Sequence, residues 1–465
     1  MPRIVVIGGG ISGLAVVHRL IELNPSHQIT LLEASPRLGG TIQTDQRDGF
    51  LLERGPDSFI SEKPEALALA KRLGLESQLI QTNEAQRRSF IVRNGRLRAV
   101  PEGFQLLAPS RIWPFILSDI FSLTGKARMA ADLLLPRRTT NGVDDESLAS
   151  FVRRRLGREA LERMAQPMVG GIYTANPETL SLRATLPRFL DMERTHRSLI
   201  LAMLRKGRVQ SSGTSGARYS LFLSFDRGME VLVQALAETI APRCEIRLKT
   251  KVVAVEWGKG WKIKTDKEET FEADGICLAL PAYVAATLLS NINPDLSNQL
   301  SQIKYASTAT INFAYRRAAI SHPLDGFGFV VPFVERRSLI ACTFSSVKFS
   351  GRAPDDHVLL RAFAGGALQP EIFALDEPDM LRRVESDLRE LLGISEPPLF
   401  AEVSKWANSM PQYEVGHLDR VRQIDDEVSQ IPLLALAGNA YRGAGIPDCI
   451  QSGERAAEFL NWITA

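Results

Sequence analysis

Three glycines and an acid are the first residues in this chain whose spacing could do chemistry. Gly8, Gly10 and Gly13 fit G-x-G-x-x-G, with Gly9, Ile11 and Ser12 between them, and Glu33 stands 20 residues beyond Gly13. In such a loop the first glycine permits a tight turn, the second lets a pyrophosphate approach the backbone, and the third lets helix and strand pack closely. A helix opening there turns unpaired N–H groups and a positive dipole end toward the phosphates. The acid accepts hydrogen bonds from a ribose hydroxyl pair. The chemistry is dinucleotide binding.

The elements that must position these residues stand in register around them. Ile4 to Ile7 is a short, β-branched apolar run, as a strand buried in a parallel sheet should be. Leu14, Val17, Leu20 and Ile21 mark one face of a following helix, and Gln28 to Leu32 reads as a second strand ending at Glu33. Ala34-Ser35-Pro36-Arg37-Leu38-Gly39-Gly40-Thr41 reads as a second backbone cradle, with Arg37 bringing positive charge near the phosphates. At the other end, Leu433 to Ala437 is an apolar strand leading into a glycine-rich run, Gly438 to Ile450. The helix after it carries Ile446, Ile450, Ala457 and Leu460 on one face, with Pro447 tolerated in its first turn.

With E-x-x-x-R-x-G-G from Glu33 to Gly40 and A-G-N-x-x-x-G-x-G…D-C-I-x-S-G from Ala437 to Gly453, the chain resembles the flavin-dependent amine oxidase superfamily. Within it the chain is similar to the FAD-dependent, oxygen-using protoporphyrinogen and coproporphyrinogen oxidases along nearly its whole length. That similarity rests on Gly55-Pro56-Asp57-Ser58-Phe59, Arg93-Asn94-Gly95, Gln166 to Tyr173, Trp406…Pro411-Gln412-Tyr413 and the C-terminal run.

The resemblance implies FAD rather than an exchanging nicotinamide. It places Gly55, Pro56, Asp57, Ser58, Trp406, Gly438, Ala444, Gly445 and Ile446 at the cofactor beside the residues of the two N-terminal loops, and Val252 at the adenine. The helix opening at Ile446 is expected at the pyrimidine edge, where its dipole favours the reduced, anionic flavin. The implied reaction is six-electron oxidation of a porphyrinogen to a porphyrin in haem biosynthesis, by three hydride transfers to the flavin, with molecular oxygen as acceptor. No side chain is assigned as catalytic. Protoporphyrinogen IX is the favoured substrate and coproporphyrinogen III stays open, its four propionates asking for more basic contacts. Gly171 matches a family position facing the macrocycle. A propionate anchor is expected to be arginine, whose planar fork pairs with carboxylate. Where some members carry that arginine this chain has Ser89, so Arg88 is nominated first and Arg98 second.

The expected fold is α/β: a Rossmann-type FAD domain built from residues 1–86, 211–289 and 416–465, a helical basic segment over 87–210, and a β-rich substrate domain over 290–415. Strands are expected at Thr250 to Trp257, Trp261 to Thr265, Gly275 to Leu280, Thr308 to Tyr315, Gly326 to Pro332, Ser338 to Phe344 and Val358 to Ala364. Helices are expected from Glu230 to Ile240, Asp379 to Leu392, Gly125 to Leu135 and Ser147 to Met164. Residues 87–210 hold 22 Lys and Arg against 11 Asp and Glu. Attraction of an acidic substrate, docking on anionic lipid and a plain solvated surface all fit that excess.

Composition narrows the classes further. The chain has 465 residues, 45% hydrophobic and 23% charged, which excludes wholesale disorder and leaves room for two or three domains. A net charge of +3 argues against a dedicated nucleic-acid binder. Cys244, Cys277, Cys342 and Cys449 are widely separated, as small buried residues of a reducing compartment. With no apolar run of membrane-spanning length and no secretory signal, a cytoplasmic protein is expected, with peripheral contact on the inner membrane face and homodimer formation left open. The six histidines have no metal-ligand spacing, so surface or capping roles are expected for them. A second Rossmann fingerprint is missing, which favours direct substrate oxidation over feeding by a nicotinamide.

Three alternatives remain. An amine oxidase would want a lysine-held water at the flavin, where this chain has Thr310, and an aromatic pair. A carotenoid-type desaturase would need a long apolar tunnel. A binding protein of the GDP-dissociation-inhibitor kind uses a related fold without redox work, and the intact flavin motifs weigh against it.

Overall fold

Arg3–Ile7 is the middle strand of a five-stranded parallel sheet in the computed structural model, which describes residues 1–102, 104, 105, 107–109, 111–138, 145–210 and 221–464. The strand order is Cys244–Arg247, Gln28–Leu32, Arg3–Ile7, Gly275–Leu278, Leu434–Leu436. Three distant stretches of chain therefore build one sheet. Its inner strands are covered on both faces, which is why they read as continuous apolar runs. The helix Ile11–Leu23 packs on it through Leu14, Val17 and Leu20, joined by Leu232, Leu236 and Ile240 of the helix Glu230–Ile240 and by Ile450, Ala457 and Leu460 of the helix Ile446–Thr464. Helix Ile446–Thr464 can approach Ile11–Leu23 because Gly453 lacks a side chain: a Cβ there would stand 2.4 Å from the Ser12 carbonyl oxygen. An antiparallel meander, Val252–Trp257, Trp261–Thr265 and Thr270–Ala273, leads from Cys244–Arg247 to Gly275–Leu278. Residues 211–220, with which the second expected FAD segment begins, lie outside the described residues.

The second sheet has seven strands, in the order Phe400–Pro411, Tyr305–Arg316, His357–Gly365, Ala341–Phe344, Gly328–Val330, Phe90–Arg93, Arg96–Ala99. The hairpin Phe90–Ala99 was expected within the helical segment. It belongs instead to this sheet, pairing in parallel through Phe90 with Phe329 and Ile91 with Val330. Its turn is Asn94-Gly95, both at positive φ (51° and 70°), the backbone that a tight hairpin demands. One face of the sheet carries Val92, Ile311, Phe313, Leu360 and Ala362 against Val384 and Leu388 of the helix Glu377–Leu392. That helix starts where the Asp376 carboxylate accepts the Asp379 N–H at 2.9 Å and stops at Gly393, φ 63°.

A helical segment packs beside the seven-stranded sheet, its core including Ile91 of that sheet. Its basic residues are largely spent on internal contacts. Arg155, fully buried, donates from Nε to Asp132 Oδ1 at 2.6 Å, from Nη1 to the Pro136 carbonyl and from Nη2 to the carbonyls of Asp132 and Arg197. Asp132 Oδ2 in turn accepts from the Ser198 hydroxyl and the Ile200 N–H. Arg154 pairs with Glu146 and Glu193. The helix expected over Ser147 to Met164 is interrupted: Leu148–Arg155 ends at Gly157, φ 95°, and a π-helical turn, Leu161–Ala165, precedes the helix Gln166–Tyr173. Likewise the helix expected to Leu135 is Leu123–Ala130, tightening into a 3₁₀ turn. No described helix is long and apolar enough to cross a membrane.

Candidate active site

At the C-terminal end of Arg3–Ile7 the three motif glycines do different work. A Cβ on Gly13 would lie 1.9 Å from the Gly8 carbonyl oxygen, and one on Gly8 would lie 2.3 Å from that of Ala279. Both positions are closed by protein. A Cβ on Gly10 would meet nothing within 4 Å, so the backbone is bare there toward open space. Around that opening the carboxylate of Glu33 accepts the N–H groups of Gly9 at 2.6 Å and Ser35 at 2.7 Å, which orients it before any ligand arrives. The segment leading to Val252 runs beside it, the Thr250 N–H reaching the Glu33 carbonyl at 2.9 Å.

The second glycine loop docks on the first. The Gly39 N–H donates to the Gly9 carbonyl at 2.8 Å, and a Cβ on Gly40 would lie 3.3 Å from the Gly10 Cα. Arg37, expected to offer its charge to phosphates, is engaged in holding this loop: its guanidinium donates to the carbonyls of Gly40 and Ile42 and pairs with Glu230. Gly55 lies hard against Thr41, whose carbonyl oxygen would be 1.8 Å from a Cβ. At the C-terminal run, Gly438 and Gly443 have positive φ, and Asp448 accepts the Gly445 N–H at 3.3 Å, so Ala444 and Gly445 stand partly open before the helix begins at Ile446.

Register in the seven-stranded sheet assembles the facing wall. Ser404, Thr310, Phe363, Ala341, Val330, Ile91 and Arg98 form one row across its strands. This face meets the loop Glu53–Ser58: Thr310 and the Trp406 indole both donate to the Arg54 carbonyl, the latter at 3.0 Å, and Asn312 donates to that of Glu53 at 3.1 Å. Opposite Val330 sits Gly171, where a Cβ would meet only a Val330 methyl at 3.7 Å. Gly171, Val330 and Phe363 keep exposed surface, whereas Ser404, Thr310, Ala341 and Ile91 of the same row are buried. Arg98 lies at the far end of the row, paired with Asp119 at 3.0 Å. Arg88 does not share that face. It lies two residues before Phe90, whose side chain joins the core on the opposite face, and its 70% exposed side chain pairs with Asp325 at 2.9 Å.

Three histidines expected at the surface are buried. His417, 3% exposed, stacks on Tyr413 with ring centroids 4.2 Å apart and contacts the Tyr441 carbonyl at 2.8 Å; burial pushes its pKa down to about 4, so it stays neutral. His18 and His27 are each 6% exposed.

Bare backbone, crowded glycines and a pre-oriented carboxylate make a cradle that fits a dinucleotide and would be filled by side chains. Residues 11–461 match the family described as flavin containing amine oxidoreductase. The chain belongs to that family. This oxidoreductase is 36% identical over 462 residues to the coproporphyrinogen III oxidase of Bacillus subtilis (strain 168), covering 98% of this chain and 97% of that protein. It is 35% identical to that of Propionibacterium freudenreichii subsp. freudenreichii, covering 98% and 90%. A crystal structure from Exiguobacterium sp. 255-15, provisionally assigned as a protoporphyrinogen oxidase, superimposes with TM-score 0.88 at 33% identity over 99% of both chains. The oxidoreductase is thus an FAD-dependent oxidase of α/β fold.

What sequence reasoning missed is the sheet's side of the oxidoreductase's site. Arg361 and Lys348 reach the loop Glu53–Ser58 from the seven-stranded sheet and its neighbouring helix. Burial alone would raise the Asp57 carboxyl; Lys348 at 3.0 Å and Arg361 at 3.4 Å reverse that and hold it well below the usual carboxylate range. Glu53, buried with the Met229 N–H and the Thr44 hydroxyl on its carboxylate, is pushed up to about 7 by desolvation. These residues are isolated charges in the sequence, and only strand register brings them together.

Proposed function

We propose that this chain oxidises a porphyrinogen to a porphyrin in haem biosynthesis, with coproporphyrinogen III as substrate and molecular oxygen as the final acceptor. The observation that carries the substrate reading is full-length similarity, at 35–36% identity, to two proteins named coproporphyrinogen III oxidase. It moves the preference away from protoporphyrinogen IX, which the family resemblance of the motifs favours. Bound FAD supplies the hydride acceptor. Gly8, Gly9, Gly10, Ile11, Ser12 and Gly13 would cradle its pyrophosphate, Glu33 and Ala34 its ribose, and Val252 its adenine. Arg37, Gly40 and Thr41 would close the second loop over it. Gly55, Pro56, Asp57, Ser58, Trp406, Gly438, Ala444, Gly445 and Ile446 would surround the flavin ring.

The macrocycle's place is the recess between Gly171, Val330 and Phe363. An absent side chain at Gly171 leaves room for a flat ring, and Phe363 and Val330 offer apolar faces. Arg98 is the anchor for a propionate, since it shares the recess face. The substrate must displace Asp119 from it, so the exchange trades one carboxylate for another. The test is the appearance of porphyrin fluorescence when purified, FAD-loaded protein meets each porphyrinogen in air.

Peripheral membrane contact is the second part of the reading. Trp113, Leu117 and Leu123 are 75–83% exposed, and Lys126 among them donates to the Ile116 carbonyl at 2.7 Å. Exposed Trp and Leu beside a lysine suit an anionic lipid surface. Co-sedimentation with phosphatidylglycerol vesicles, lost on Leu117→Glu with Leu123→Glu, tests it.

A further inference from the structure

Buried positive charge accumulates under the flavin loop from the substrate-domain side. Arg361, on the strand His357–Gly365, is 4% exposed. It donates from Nη2 to the Gly55 carbonyl at 2.6 Å, and its Nη1 lies 3.4 Å from Asp57 Oδ2. Among the described residues its Nε and Nη1 have no hydrogen-bond partner, and the guanidinium carbon lies 4.7 Å from the centre of the Phe363 ring. Lys348 reaches Asp57 Oδ2 at 3.0 Å and the Ser58 hydroxyl at 3.2 Å. Arg352, 2% exposed, spends its guanidinium on neutral groups, the Asp226 and Phe225 carbonyls and the Ser224 hydroxyl. Facing these three cations are two carboxyl groups, the buried Glu53 and the partly buried Asp57, with the Asp226 residue exposed at the rim.

Three cations against two carboxyl groups leave an excess of positive charge that is costly in such a place unless something negative comes to it. The loop it touches is the one assigned above to the flavin, and a flavin gains negative charge on reduction. We propose that Arg361 is a positioning residue for the flavin: it fixes the Gly55 carbonyl from the substrate sheet and directs a buried positive charge at the flavin loop, stabilising the reduced cofactor. This rests on the reading that FAD seats against Gly55–Ser58. Arg361 holds its place through the central strand, where it registers with Asn312, itself bonded to the Glu53 carbonyl. The substrate domain thereby sets the electron affinity of a cofactor held mainly by the other domain.

The test uses full-length, FAD-loaded protein, reduced anaerobically in equilibrium with a reference dye. Arg361→Met is expected to hold about tenfold less reduced flavin at the same dye ratio, the order one unit charge exerts at an effective dielectric near 20. Arg361→Lys, keeping the charge without the fork, is expected to restore most of that equilibrium. Asp57→Asn removes the counter-charge and is expected to move it the opposite way, which decides the matter if Arg361→Met does not fold. Arg382→Met, at an exposed helix position, is the control. Loaded variants with an unmoved dye equilibrium overturn the assignment alone. Native protein that binds no FAD overturns it together with the flavin reading.

Discussion

The indole N–H of Trp406 reaches the carbonyl oxygen of Arg54 at 3.0 Å, joining the seven-stranded sheet to the loop that follows the buried Glu53. Thr310 donates to the same carbonyl from the neighbouring strand. A position that would suit a water-holding lysine in an amine oxidase is thus occupied by a hydroxyl used to fasten two domains. The consequence is a loop Glu53–Ser58 whose geometry depends on the seven-stranded sheet.

Gly10 and Gly13 should separate binding from folding. Gly10→Ala places a methyl in open space at φ −71°, where alanine is at ease, so the melting temperature of the flavin-free protein should stay native while FAD affinity falls at least about tenfold. Gly13→Ala drives a methyl into the Gly8 carbonyl and should destabilise the fold itself. Thermal unfolding and flavin titration of both variants check this.

Gly171→Leu should fill the recess without harming the protein. The position is helical and open, so replacing glycine gains up to about 1 kcal/mol of helix propensity. Porphyrinogen turnover should drop by at least about tenfold while flavin content and melting temperature hold. Loss of flavin instead would place Gly171 outside the substrate recess.

The two candidate anchors should behave differently. Arg98→Gln is expected to raise KM for a propionate-bearing porphyrinogen more than it lowers kcat, by about the tenfold or more that a charge-assisted pair supplies. Arg88→Gln, on the opposite face, is expected to leave both unchanged. Steady-state kinetics on the pair read this directly.

Glu53 makes stability depend on pH with a definite sign. Its folded pKa, about 7, lies above the ordinary value of 4.5, so the folded state binds the proton more tightly than the unfolded chain. Burying the carboxylate costs stability above pH 7, and that cost fades as pH falls toward 4.5. Glu53→Gln should therefore be more stable than the native protein at pH 8, by up to about 3 kcal/mol, and no different near pH 4.5. Urea unfolding at the two pH values measures it.

The nucleotide half of the site is legible in the sequence because its parts are contiguous: strand, glycines, helix and acid all fall before residue 34. The C-terminal run is legible for the same reason. The recess is not, because Thr310, Phe363, Ala341, Val330, Ile91 and Arg98 come from separate strands and share a face only through register. The hairpin Phe90–Ala99 escapes notice since Arg93, Arg96 and Arg98 break its apolar alternation, although Asn94-Gly95 announces the turn. Arg155 looks like one of three consecutive surface arginines, yet Asp132 draws it into the core of the helical segment. Position in the chain favours Arg88 over Arg98, whereas strand register puts Arg98 in the row of Ile91 and Val330.

The most direct test of the central claim offers the purified, flavin-loaded protein coproporphyrinogen III and protoporphyrinogen IX separately, in air, against a flavin-stripped control, and follows porphyrin fluorescence. The account predicts flavin-dependent fluorescence with both the rate and kcat/KM higher for coproporphyrinogen III. Fluorescence no greater than the stripped control with either porphyrinogen, while flavin remains bound, would contradict it.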